Sequence, residues 1–220
     1  MGEPTEDGNG RHDREEYERV TLELENNNSN IVQLAIRDRM FADYYPSNTH
    51  EWERAGKSIG RNTHLKELTI NICADVTTEE DTKIFFRRLS KNTSIQTLSF
   101  RACNPLGGRS FRALVPFFEN NHNLESLAFM QCPLKSVHLL ASALSQFDSL
   151  KEFRLDGYAI ICDNTLSLVI TALTGHRGLR ELDLRGMRIQ SKVCAAMTTL
   201  LLNPASGLVS LPSPPLESFP

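Results

Sequence analysis

Leu124-Glu125-Ser126-Leu127-Ala128-Phe129-Met130-Gln131-Cys132 carries apolar residues at its first, fourth and sixth places and a cysteine at its ninth. The same order returns from Leu65 to Cys73 and from Ile95 to Cys103, and, with the cysteine replaced, from Leu150 to Tyr158 and from Leu179 to Met187. The opening residues Leu65, Ile95, Leu124, Leu150 and Leu179 lie 30, 29, 26 and 29 positions apart. A unit of this length cannot bury its apolar face alone, so successive copies must stack and share one core.

Between strands the apolar period changes. Six positions before each opening residue stand Ile59, Leu89, Phe118, Leu144, Leu173 and, before Leu208, Leu202. Three or four residues further back come Ala55, Phe85, Leu114, Leu140, Val169 and Thr198, and seven back come Trp52, Thr82, Phe111, Val137, Leu166 and Ala195. Spacing at i, i+3/i+4 and i+7 is one face of an amphipathic helix. Each unit therefore reads as a short strand followed by a helix, and Trp52 reads as a core residue. Thr77-x-x-Glu80 reads as a capping box, and Ser136, Asn164 and Ser191 as N-caps.

The ends are less regular. Residues 1–16 lack apolar side chains beyond Met1 and read as a disordered tail. Val20, Leu22 and Leu24 alternate, as do Val32, Leu34 and Ile36, with an Asn-rich stretch between them, which predicts a cap-like hairpin. Ile31, Leu34 and Ile36 also fit the repeat, and the longer interval that follows contains a loop with Phe41, Tyr44 and Tyr45. That loop either covers the first repeat's core or offers contact residues. Residues 17–202 form the repeat domain of about six units. Residues 203–220 form an irregular tail in which Pro212, Pro214, Pro215 and Pro220 deny a sheet its donors. The edge of the last unit is expected to be loosely covered by this tail or open to a partner or a second copy, and the chain also fits a fragment of a longer array.

The pattern L-x-x-L-x-L-x-x-C/N-x-L followed by a helix resembles leucine-rich repeats of the ribonuclease-inhibitor-like class. Leu124, Leu127, Phe129, Cys132 and Leu134 match every anchor. The resemblance implies an α/β solenoid shaped as a horseshoe, with a parallel sheet on the concave side and helices on the convex side. Strands about 4.8 Å apart joined to helices about 8–10 Å apart give the same curvature.

Composition narrows the function classes. The net charge is -3, so no general field draws nucleic acid or an anionic membrane, and basic residues are dispersed. No stretch approaches the ~20 apolar residues of a membrane span, and the amino-terminal segment is polar, so an intracellular, cytoplasmic protein is expected. Gly2 is followed by Glu6 where myristoylation wants a hydroxyl. The five cysteines lack metal-ligand spacing, and Cys73, Cys103 and Cys132 share the ninth place, which makes them buried free thiols without metal. His12, His50, His64, His122, His138 and His176 stand in no repeated relation to a nucleophile, and Pro105-Leu106-Gly107-Gly108 lacks the lysine of a phosphate loop.

Third, fifth and seventh places of each strand face away from the core. In the first four strands these are mostly small or neutral, whereas the last two carry Glu152, Arg154, Asp156, Glu181, Asp183 and Arg185. Two readings stand. The block is a recognition patch held in rows by the sheet, or Arg154 with Asp183 and Asp156 with Arg185 neutralise each other, leaving Glu152 beside Glu181 as a like-charge pair. The leading expectation is a non-enzymatic scaffold that binds a protein partner, with no cofactor and no metal. A regulator of a partner enzyme, such as a GTPase activator, is the alternative, by analogy with other leucine-rich repeat proteins.

Overall fold

The computed structural model describes residues 8–37, 49–72, 77–103, 106, 108–134, 136–145, 149–156, 162–204 and 207–208. In chain order these form α1 (Gly8–Glu25), β1 (Gln33–Arg37), α2 (Thr49–Arg61), β2 (Glu67–Asn71), α3 (Glu79–Leu89), β3 (Thr97–Arg101) and α4 (Gly108–Asn120). There follow β4 (Ser126–Met130), α5 (Val137–Leu144), β5 (Glu152–Leu155), α6 (Asp163–Leu173), β6 (Glu181–Asp183) and α7 (Ser191–Leu202). The early loop with Phe41, Tyr44 and Tyr45, the thiol of Cys73 and the tail from 209 lie outside the described residues.

The six strands make one parallel sheet in chain order. Its register lines up the fourth-place residues Leu68, Leu98, Leu127, Phe153 and Leu182, all fully buried. The sixth-place row Ile36, Ile70, Phe100, Phe129 and Leu155 is buried beside it. Each such side chain contributes roughly 1.5–3 kcal/mol on leaving water. Strand spacing shows directly in Phe100 and Phe129, whose rings stack with centroids 5.0 Å apart and planes 5° apart. Neighbouring helices pack on each other in the same order. The result is an α/β, leucine-rich-repeat-like architecture.

Helix faces match the periodicity through α6: Trp52, Ala55 and Ile59, then Thr82, Phe85 and Leu89, are buried, as are their counterparts through Leu166, Val169 and Leu173. Trp52 meets Phe85 edge-on at 5.6 Å. The approach of α2 to α3 depends on two glycines. A Cβ on Gly56 would lie 2.7 Å from the Phe85 carbonyl oxygen, and one on Gly60 2.2 Å from that of Arg88.

Four expectations are corrected. Val20, Leu22 and Leu24 belong to a helix, α1, which reaches back to Gly8 into the segment read as a disordered tail. Its buried residues Tyr17, Thr21 and Leu24 recur at i, i+4 and i+7, whereas Leu22 is exposed, so helical spacing outweighs the alternation. Arg54 secures the helix through Glu18 and Glu25, both at 2.9 Å, and Tyr17 donates to Glu51 at 2.9 Å.

The capping box stands one residue later than expected. Thr78 Oγ1 accepts from the Asp81 amide at 3.2 Å, and the Asp81 carboxylate accepts from the Thr78 amide at 3.1 Å. Asn164 and Ser191 lie inside α6 and α7, behind Cys162 and Gln190 at the caps, whereas Ser136 stands at the N-cap of α5 as expected, without a side-chain cap bond. The reason at α7 is a cap borrowed from the previous unit: Asp163 accepts from the amides of Lys192 at 3.0 Å and Val193 at 3.1 Å. Finally, α7 buries Val193, Ala196 and Leu200 and leaves Leu202 exposed, a shift of two residues. Contact with α6 sets its face, and the distance back from Leu208 does not.

Candidate functional site

On leaving β3, β4 and β6, the chain turns through the left-handed region at the eighth place, at Ala102, Gln131 and Gly186. This turn brings the ninth-place cysteines inward. Cys132 Sγ donates to the Met130 carbonyl at 3.3 Å and accepts from the Cys103 amide at 3.4 Å. Burial pushes the Cys132 thiol up to about 11. Cys103 and Cys132 are buried free thiols, while Cys162 and Cys194 are exposed.

The turn at the other end of the strands is organised by residues that the apolar periodicity does not mark. Asn62, Asn92 and Asn121 each stand three residues before an opening anchor. Asn92 Oδ1 accepts from the amides of Ser94 at 2.8 Å and Ile95 at 3.0 Å. Its Nδ2 donates back to the carbonyls of Ile59 at 2.7 Å and Asn62 at 2.8 Å, tying two units together. His176 takes the same place in a later unit, where Nε2 reaches the Leu144 carbonyl at 2.7 Å. The recurrence of Asn at one offset was the available signal.

Of the predicted charged block, Glu152, Arg154, Glu181 and Asp183 lie on β5 and β6 and Asp156 and Arg185 just past the strand ends; Asp183 is buried, Arg185 exposed and the other four half-buried. Register sets Glu152 beside Glu181 and Arg154 beside Asp183. The ion pairs are different from those expected. Arg154 Nη2 sits 3.5 Å from Glu152 and 3.0 Å from Glu181, so one guanidinium bridges the like-charge pair. Arg185 turns back onto Asp183 of its own strand: its amide donates at 3.1 Å and its Nε donates to Oδ2 at 2.9 Å. Asp183 holds the Arg185 guanidinium more firmly protonated than usual. Two facts explain the change of partner. Diagonal neighbours on a twisted sheet lie within reach of an arginine, and two facing carboxylates attract the nearest cation.

Asp156 donates its amide to the Phe129 carbonyl at 3.0 Å, and its carboxylate enters no ion pair among the described residues. Arg154 Nε is buried and lacks a hydrogen-bond partner among the described residues. Beside it, a depression of about 310 Å³ opens over Ser99 and Ala128, bounded by Arg101, Met130, Glu152 and Arg154. Four of the six predicted residues thus lie on two adjacent strands and Asp156 and Arg185 just past their ends, five of the six in two ion-paired clusters and Asp156 apart. Among the described residues no group of three or more His, Cys, Asp or Glu is placed to hold a metal ion. No helix among them is long and apolar enough to cross a membrane.

The sequence matches no family model, and no curated protein is significantly similar to it. Among solved structures, the chain is similar to leiomodin-1 Actin-Binding Site 2, with 13% identity and a TM-score of 0.45 over 84% of this chain and 87% of that one. It is also similar to the tropomodulin C-terminal domain from Caenorhabditis elegans, with 17% identity and a TM-score of 0.47 over 70% of this chain and 94% of that one. At such identities and scores, neither likeness carries a partner or a residue role to this chain.

Proposed function

We propose that the chain is a non-enzymatic, cytoplasmic interaction module that binds a protein partner through the sheet face, the concave side of a solenoid of the ribonuclease-inhibitor-like class. Glu152, Arg154, Asp156, Glu181, Asp183 and Arg185 form the contact set. The observation that carries this reading is Arg154: two glutamates clamp its guanidinium while its buried Nε–H has no acceptor among the described residues. A buried donor of this kind costs about 1–3 kcal/mol unless something accepts from it. A partner's carbonyl or carboxylate placed over the depression beside Arg154 would do so. Rows of side chains on a rigid sheet also lose little freedom on binding.

Capture of partners on the immobilised full chain, followed by mass spectrometry, tests the reading. The parent is compared with a variant carrying Glu152→Gln, Arg154→Gln, Asp183→Asn and Arg185→Gln. Proteins retained by the parent and lost from an equally folded variant are the expected result. An unchanged set of captured proteins removes the sheet face from consideration.

A further inference from the structure

On α2 the core residues Trp52, Ala55 and Ile59 recur at i, i+3 and i+7, which turns His50, Lys57 and Arg61 to the opposite, exposed side. That side lines a groove of about 510 Å³. Two carboxylates border it, and both are already engaged: Glu25 accepts from Arg54 Nε at 2.9 Å and Glu53 from Arg88 Nε at 3.0 Å. The adjoining guanidinium holds each of them below the usual carboxylate range. Lys57 and Arg61 enter no ion pair among the described residues. The groove therefore holds two carboxylates already hydrogen-bonded to arginines and two exposed cations outside any close ion pair, Lys57 adding only a weaker long-range attraction to both carboxylates.

We propose that this groove binds a short acidic segment of a partner polypeptide, whose carboxylates meet Lys57 and Arg61 on the helix side of the protein, independently of the sheet face. Lys57 and Arg61 stand one helical turn apart, about 5–6 Å between Cβ atoms. Alternate side chains of an extended segment are separated by about 6.6 Å, and residues one turn apart on a helix by about the same distance, so either form presents two carboxylates at a matching interval. A larger polyanion fits less well. The groove offers two cations outside close ion pairs and the whole chain has a net charge of -3, so a nucleic-acid duplex or an anionic bilayer finds no extended favourable field beyond the groove.

Fluorescence polarisation of the full chain with a labelled Glu-Gly-Glu-Gly-Glu peptide, and with its glutamine counterpart, tests the assignment. The glutamate peptide is expected to bind at least about tenfold more tightly, a gap that K57Q/R61Q abolishes and that Lys192→Gln, at the far end of the chain, retains. Both groove side chains are exposed, so matching circular dichroism melts are expected. If they differ, the shift of the Arg61 Nε resonance in the parent on adding each peptide decides. Equal affinity for the two peptides, or a double variant that binds like the parent, overturns the proposal. Tighter binding of phosphatidylserine vesicles or of a DNA duplex to the same two residues overturns it as well, by assigning the groove to a bilayer or to nucleic acid.

Discussion

Arg154 and Glu181 stand on adjacent strands, diagonal to one another in the register, with the guanidinium 3.0 Å from the carboxylate. Glu181 faces Glu152 directly. Removing the cation therefore exposes a repulsion as well as losing an attraction. Arg154→Ala is expected to stay folded and to lose about 0.5–1 kcal/mol, the range for half-exposed pairs. Adding Glu181→Gln should recover part of this loss in urea denaturation. Strict additivity of the two changes would show that the bridge does not exist in solution.

The row behind this face behaves in the opposite way. Leu155 is 1% exposed and Leu184 9%. Leu155→Asp places an unpaired carboxylate in the core and should cost upward of about 3 kcal/mol, with Leu184→Asp costing less because water reaches it. Circular dichroism melts rank the two. A Leu155→Asp variant that melts like the parent would invert the assignment of faces.

At the opposite turn, Asn92 and Asn62 occupy equivalent places but differ in satisfaction. Asn92 makes bonds at both ends of its amide, whereas Asn62 Oδ1 accepts from His64 and Leu65 while its Nδ2 is buried without a partner among the described residues. Asn92→Ala should cost about 2–3 kcal/mol and Asn62→Ala about 1 kcal/mol less, since one strands two carbonyls that the other never reached. Equal costs by chemical denaturation would mean that the inter-unit bonds contribute nothing.

These contrasts show what was legible in the sequence. Strands β2 to β6 were readable because each anchor, from Leu65 to Leu182, must be apolar at a fixed offset if neighbours are to share a core. The helix faces through Leu173 followed for the same reason. Where a second unit supplies the determining contact, local pattern was insufficient: Asp163 caps α7 from a unit away, and α6 decides which side of α7 is buried. The charged block was visible as six residues, yet which partner Arg154 takes depends on strand twist and on a carboxylate 27 positions on. The α2 groove has no periodic signature, because it arises from ion pairs that remove Glu25 and Glu53 from play.

The glycine pair on α2 is open to a paired test. Gly60→Ala drives a Cβ to 2.2 Å from a backbone oxygen that cannot swing aside, so α2 and α3 must separate. A loss of roughly 2 kcal/mol or more is expected, within or above the usual range for overpacking. Gly175 has nothing within 4 Å of the same added atom. Gly175→Ala should instead be neutral or stabilise by about 0.4–1 kcal/mol, by restricting the unfolded chain. Similar losses at both sites would show that helix spacing does not depend on Gly60.

The thiol of Cys132 predicts a pH dependence confined to the alkaline side. Burial raises its folded pKa from 9.0 to about 11, so the folded state keeps the proton through a range where the unfolded state gives it up. The stabilisation from the neutral buried thiol is whole below about pH 9 and is lost as pH rises towards about 11. The loss across this window is on the order of 2–3 kcal/mol. Urea midpoints of the parent should therefore fall over the same interval, and Cys132→Ala should flatten the fall while lowering the midpoint at neutral pH. Thiol labelling checks the premise independently: Cys162 and Cys194 are exposed and should react first, with Cys103 and Cys132 protected until the chain unfolds. A Cys132→Ala variant that keeps the parent's full alkaline slope would transfer that slope to another group and remove Cys132 as its cause.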